Sequence, residues 1–234
     1  MKTRIDLEKY PRRGLFEAFK NRDIPFFSTT SNVDISGLKE FIDSSGHGFF
    51  VSVSFFISKA VNAVTALRHR IVNGELYEFD RTDPAYTILL DDETFSFCDS
   101  RHFDEFAEYH AYAKRRIEDV RRCPDVSTGD KDHMFFITNI PWFTFTSFVH
   151  PYCKAYGSIP VVTVGRYFEH GGKVLLPVGI QVNHALADGL HVGRFYGHMS
   201  AMCAQPRMWL SGDGKRPGSP AARAPAAGAR IEDA

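Results

Sequence analysis

The chain has no surplus charge of either sign. Across 234 residues, 28 lysines and arginines are matched by 28 aspartates and glutamates. No basic stripe with interleaved aromatics stands out, which argues against a nucleic-acid partner. No apolar run approaches the length of a membrane span. The opening segment Met1–Asp6 lacks the apolar stretch of a secretory leader. Neither a Gly-x-Gly-x-x-Gly turn nor a phosphate loop is present, so a doubly wound nucleotide fold is not expected. The four cysteines (Cys98, Cys123, Cys153 and Cys203) are scattered and form no Cys-x-x-Cys pair. Free thiols in a reducing cytoplasm are the expectation.

What the chain does have is phenylalanine, 21 residues against two tryptophans. That points to an aromatic core or to a pocket with apolar walls. The apolar pattern predicts strands over 25–34, 85–90, 94–98, 133–140 and 142–148, the last two broken at Pro141. Hairpins are expected at Asn73-Gly74 and around Glu169-His170-Gly171-Gly172, the second joining 159–168 to 173–182. Helices are expected after Ser36 as N-cap, over 53–67, over 103–122 with Phe103, Phe106, Ala107, His110, Ile117 and Val120 on one side, and over 191–203. Strands separated by three long helices argue a mixed α/β domain in two layers over 1–210. From Ser211 the composition turns to Gly, Pro, Ala and Arg, the mark of a disordered tail over 211–234.

Candidate chemistry concentrates in Ile180-Gln181-Val182-Asn183-His184-Ala185-Leu186-Ala187-Asp188-Gly189-Leu190-His191. A buried strand ends in a histidine, and an Asp-Gly turn signal follows. A strand end fixes a side chain while the loop beyond leaves its tip open. Imidazole both takes and returns a proton near neutral pH, so His184 is a candidate general base. The plainer reading is a satisfied core histidine. A metal site from His184, Asp188 and His191 would need one unbroken helix, which Asp188-Gly189 interrupts, so no metal is expected.

Residues 181–195 resemble the active-site segment of type A chloramphenicol acetyltransferases, which carry His-His-x-x-x-Asp-Gly followed by Phe-His-Val and an arginine. The resemblance extends in order through Arg12-Arg13-x-x-Phe16-Glu17, Ile71-x-Asn73-Gly74-Glu75-Leu76, Glu93-Thr94-Phe95-Ser96, Pro141-Trp142-Phe143-x-Phe145-Thr146-Ser147-Phe148 and Pro160–Tyr167. It implies the CoA-dependent acyltransferase fold, a two-layer sandwich on a mixed, largely antiparallel sheet. It implies acetyl-CoA as co-substrate and a homotrimer with sites between subunits. Carried over by position, His184 is the general base and Thr138 the hydroxyl that meets the oxyanion. Arg12 with Asp188 is the structural pair, with Arg13 a rival for Arg12's place. Thr163 holds a water near the intermediate, and Arg166 lies near the CoA 3′-phosphate.

The sequence departs from the family pattern in places. Asn183 replaces the motif's first histidine and Ala187 a frequent cysteine. In the acceptor pocket, implied to include Phe19, Phe26, Phe95 and Phe97, Phe19 replaces a tyrosine, while Phe26 and Phe97 replace smaller residues. The expected activity is acetylation of a chloramphenicol hydroxyl. The rivals are another small alcohol or amine acceptor, and a noncatalytic trimeric binding protein. A chain truncated after Leu210 is expected to keep its melting temperature and any activity; loss of either contradicts the tail reading.

Overall fold

The computed structural model describes residues 1–125 and 129–211. Residues 212–234 of the expected tail therefore lie outside the described residues. The strands are β1 (Lys2–Arg4), β2 (Phe26–Asp34), β3 (His69–Val72), β4 (Glu75–Phe79), β5 (Asp83–Leu89), β6 (Phe95–Asp99), β7 (Met134–Asn139), β8 (Val161–Val164), β9 (Phe168–His170) and β10 (Lys173–Asn183). The helices are α1 (Arg13–Phe19), α2 (Ser36–Ser45), α3 (Phe49–Ala63), α4 (Phe106–Arg122), α5 (Gly189–Ala204) and α6 (Pro206–Leu210). None of these helices is long and apolar enough to cross a membrane.

β10 is buried from Leu176 to Asn183, so its backbone must be paired on both edges. It lies between β2 and β8 in a sheet of order β2-β10-β8-β7-β5-β6, with β9 also on β10. The β7–β8 and β5–β7 pairs are parallel and the others antiparallel. Side chains alternate across a strand, and that alternation divides the molecule. Leu176, Val178, Ile180, Val182, Val162, Val164, Phe135 and Ile137 face the helices and join the main core. The opposite face carries Thr138, Thr163, Gln181, Asn183, Ser28 and Phe26. Register sets Thr138 beside Thr163, Gln181 beside Ser28 and Asn183 beside Phe26.

A second sheet, β1-β4-β3, turns at Asn73-Gly74, where both residues have positive φ (52° and 82°) as a tight hairpin requires. Arg70 of β3 is fully buried and donates to the carbonyls of Leu67 (2.9 Å), His69 (2.6 Å), Asp132 (3.0 Å) and Met134 (2.6 Å). Its guanidinium thus fastens the small sheet to the start of β7.

Several expected elements are corrected. Helix α3 begins at Phe49 rather than 53 and ends at Ala63, with a 3-10 turn over Thr65–Arg68. The serines that look like its polar side are buried: Ser54 donates to the Val51 carbonyl, and Ser58 meets His102 Nδ1 at 2.8 Å. Helix α4 begins at Phe106, not 103, and buries Tyr109 and Ala113 while Ala107 is exposed. Tyr109 can be interior because its hydroxyl donates to Ser54 Oγ at 2.9 Å. Ser36 is the first helical residue, not the cap. Its N–H and hydroxyl both donate to Asp34 Oδ1. Helix α5 begins at Gly189, with Asp188 as its N-cap.

Residues 142–148 form no strand. β7 already has β5 and β8 on its two edges, so alternation there has no partner to pair with. The segment instead crosses the helix-free face, with Phe145 buried over Gly165 and Gly179. At Gly165 a Cβ would meet the Phe145 ring at 2.7 Å and Pro177 at 2.8 Å, and there the expected strand 159–168 divides into β8 and β9.

Burial, reinforced by Arg68 and Arg70, lowers the pKa of His69 to about 4. Burial, reinforced by Lys59, does the same to His102, also to about 4. The unfolded chain therefore takes these protons first as pH falls. Stability is fully present above about 6.5 and is lost down to about 4, by roughly 3 kcal/mol per histidine. Urea unfolding at pH 7 and pH 4.5 should show this loss, and His102→Gln should flatten it by about one proton. An unchanged pH slope in that variant contradicts the assignment.

Candidate active site

β10 ends at Asn183, and the next residue turns out of the sheet. The His184 N–H donates to the Pro25 carbonyl at 2.7 Å. Asn183 shapes the turn: its Oδ1 accepts the Ala185 N–H at 2.9 Å, and its carbonyl accepts those of Leu186 and Ala187. The His184 ring lies between Phe19 and Phe27, with centroids 4.2 and 4.9 Å away. Its Nδ1 is 3.2 Å from the Ala187 carbonyl. A carbonyl only accepts, so this contact puts the proton on Nδ1 and leaves Nε2 with its lone pair. That is the atom a base needs.

Asp188 follows at the start of α5. Its Oδ1 accepts the Leu190 N–H at 3.1 Å, and Arg12 Nη1 donates to Oδ2. His191 Nδ1 lies 2.8 Å from Oδ1 and 3.2 Å from the Asp188 N–H. The shorter contact is to a carboxylate, which assigns the ring proton to Nδ1. Burial alone would raise the Asp188 pKa, but Arg12 and His191 together outweigh it and hold the carboxyl below its ordinary range. Asp188 therefore anchors the turn rather than acting on the His184 ring. Tyr10, Phe16, Leu76, Ala185 and Leu186 form a second small core beneath it, with Phe19 packed against them. The N-terminal segment is thereby packed onto the residues that follow His184. Among the described residues, no three His, Cys, Asp or Glu side chains are grouped as metal ligands.

The helix-free face of the sheet holds a cavity of about 200 Å³. Thr138, Phe26, Phe97, His150, Tyr152 and Asn183 are among its walls. Its cover, residues 148–157, is fastened to the strands by side chains. Ser28 Oγ donates to the Phe148 carbonyl (2.7 Å), Gln181 Oε1 accepts the His150 N–H (3.0 Å), and Asn183 Nδ2 donates to the Gly157 carbonyl (2.9 Å). Thr163 is buried behind the wall, beside Thr138. His184 is not part of this lining, nor are Phe19 and Phe95. Phe19 stacks on His184 instead, and Phe95 is exposed, edge-on to Phe97 at 5.6 Å. Arg166 is exposed and away from the cavity; its N–H donates to the Phe143 carbonyl at 2.9 Å. Within one chain, then, the imidazole does not line the cavity, although Asn183 beside it does.

Comparison with known proteins decides the family. The family model described as chloramphenicol acetyltransferase matches residues 1–200. This chain belongs to the chloramphenicol acetyltransferase family. A chloramphenicol acetyltransferase of Clostridium perfringens is 32% identical over 215 residues, 88% of this chain and 96% of the relative. Chloramphenicol acetyltransferase 3 of Escherichia coli is 33% identical over 209 residues, 86% of this chain and 96% of the relative. A solved chloramphenicol acetyltransferase superposes with a TM-score of 0.82 at 23% identity, covering 87% of this chain and all of that one. The dihydrolipoamide acetyltransferase of Azotobacter vinelandii shares the fold, with a TM-score of 0.61 at 15% identity over 83% of this chain and 87% of that one. The family is one of acyltransferase enzymes, and the α/β sandwich on a mixed sheet is the fold its resemblance implied.

Three site neighbours escaped sequence reasoning. Phe27 was hidden by Phe26 beside it, although alternation must send one of the two toward the helix side. Gln181 sits two residues before Asn183 and so shares its face. His150 lies in a run of aromatics and prolines with no motif to mark it.

The Arg12–Asp188 pair keeps partial solvent contact, with side chains 16% and 29% exposed. Asp188→Asn should therefore cost about 2 kcal/mol, less than the ~3–5 of a fully buried pair broken from one side. Arg12→Met in the same chain should recover part of that by removing the unpaired guanidinium. Urea midpoints of Asp188→Asn, Arg12→Met and the double variant check this; strictly additive losses would contradict it.

Proposed function

We propose that the chain transfers an acetyl group from acetyl-CoA to a hydroxyl of chloramphenicol, with His184 Nε2 as general base. The observation that carries this is the Nδ1 contact to the Ala187 carbonyl, which leaves the base nitrogen free on a rigid strand end. Family membership supplies the reaction class. The acceptor hydroxyl gives its proton to Nε2 as its oxygen attacks the thioester carbonyl. The new oxyanion takes a hydrogen bond from the Thr138 hydroxyl, and Thr163 orders the surroundings behind it. Collapse breaks the C–S bond, and the departing thiolate takes the proton back from the imidazolium. The products are the acetyl ester and free CoA. Arg12 and Asp188 hold the turn so that Nε2 keeps its aim. Arg166, exposed and cationic, is assigned to the CoA phosphate, and Phe19, Phe26, Phe95 and Phe97 to the acceptor walls.

The working form in this reading is a homotrimer in the cytoplasm, with each His184 facing the cavity of a neighbouring copy. Two features support it. The imidazole does not line the cavity of its own chain. Phe95, Trp142, Phe143 and Val149 are all more than half exposed, apolar side chains that a neighbouring copy would cover. The phenylalanine walls also favour a second reading in which the same chemistry serves another small alcohol.

The test is release of free thiol from acetyl-CoA with and without chloramphenicol, for the wild type and His184→Ala. Chloramphenicol-dependent release that falls at least about 1,000-fold in the variant, with the fold retained, is expected. Equal release by both proteins would remove His184 from the mechanism. No release from folded wild type would move the acceptor elsewhere.

A further inference from the structure

His150 belongs to no motif, yet it is an imidazole in the wall of the cavity. Its surroundings hold it from three directions. Its N–H donates to Gln181 Oε1 at 3.0 Å, its ring packs against Phe148 with centroids 5.0 Å apart, and its Nε2 lies 2.6 Å from Thr163 Oγ1. Burial lowers the pKa of the ring, so it is neutral near pH 7. Thr163 is itself buried and stands beside Thr138 in the parallel β7–β8 register.

This geometry changes what Thr163 is available to do. A threonine hydroxyl left open to a cavity holds a water. Here an imidazole nitrogen of the chain itself is bonded to that hydroxyl. Among the described residues the other ring nitrogen, Nδ1, has no hydrogen-bond partner. A neutral imidazole always offers one donor and one acceptor. Thr163, whose hydroxyl can donate or accept, takes one of these, and the other is left for a ligand. The remaining lining is largely aromatic and aliphatic: Phe26, Phe97, Phe136, Tyr152 and Val161 among others. A fixed polar group in such a wall discriminates strongly, because a ligand that fails to answer it leaves it unpaired.

We propose that His150, held by Thr163, is a specificity-determining residue of the acceptor cavity. It selects a small alcohol with an apolar or aromatic body and a second hydrogen-bonding group apart from the hydroxyl to be acetylated. This rests on the acetyl-transfer reading above. His150 is a positioning and selecting residue, and the proton transfer remains with His184.

The experiment measures chloramphenicol binding by calorimetry and steady-state kinetics for wild type, His150→Leu, His150→Gln, Thr163→Val and the His150→Leu/Thr163→Val pair. Loss of one neutral hydrogen bond corresponds to about tenfold in affinity. His150→Leu should weaken chloramphenicol binding by that factor and raise its KM more than it lowers kcat, with the KM for acetyl-CoA and the melting temperature held. His150→Gln should restore most of the affinity. Thr163→Val should add little to the Leu variant, since the two act as one unit. Unchanged chloramphenicol affinity in His150→Leu overturns this inference and leaves the acetyl-transfer reading standing. So does a parallel fall in melting temperature and kcat that glutamine does not rescue, which would mark His150 as only a fastening of the cover segment. Failure of wild type to bind chloramphenicol at all overturns both.

Discussion

The Asp188 carboxylate is where three parts of the chain meet. One oxygen caps helix α5, the other takes the Arg12 guanidinium, and His191 closes the group from the first turn of the helix. Arg12 and Asp188 are 176 residues apart in sequence. Together with the small core of Tyr10, Phe16, Leu76, Ala185 and Leu186, this contact holds the N-terminal segment beneath the turn that carries His184. The strand before it supplies the other half of the constraint. β10 is buried along its whole second half, paired with β8 over Val178–Gln181 and with β2 as far as Asn183, so His184 leaves a well-supported strand end. Such rigidity is what a base requires, because proton transfer tolerates little misplacement.

The same strand builds the cavity by alternation. Even-numbered residues of β10 feed the helix-side core, while Gln181 and Asn183 reach the other face and fasten the cover. A sheet face left without helices needs something else over it, and residues 141–159 serve. This division explains why one side of the sheet is an ordinary apolar core while the other carries threonines, amides and an imidazole. Asn183 lines the cavity, while the His184 ring beyond it packs between Phe19 and Phe27.

Much of this was legible in the sequence. The run ending in His184-Ala185-Leu186-Ala187-Asp188-Gly189 marks a strand, a turn and a helix start, and the Asn73-Gly74 hairpin is set by backbone sterics alone. The misreadings share one physical cause, which is tertiary context overriding local pattern. Tyr109 looks amphipathic but meets Ser54. Residues 142–148 alternate like a strand but find no free sheet edge. His150 and Phe27 could not be read because their importance comes from what lies across the sheet. Spacing along the chain carries no trace of that.

In the proposed working form, the base of one copy serves the cavity of another. The direct measurement is complementation between two inactive variants, His184→Ala with an intact cavity and Thr138→Trp with an intact histidine and a filled cavity. Each is purified alone and then the two are co-expressed. Chloramphenicol-dependent thiol release should return in the mixed oligomers, where a good imidazole meets an open cavity. Two folded, oligomeric variants that stay inactive together as they are apart would contradict it.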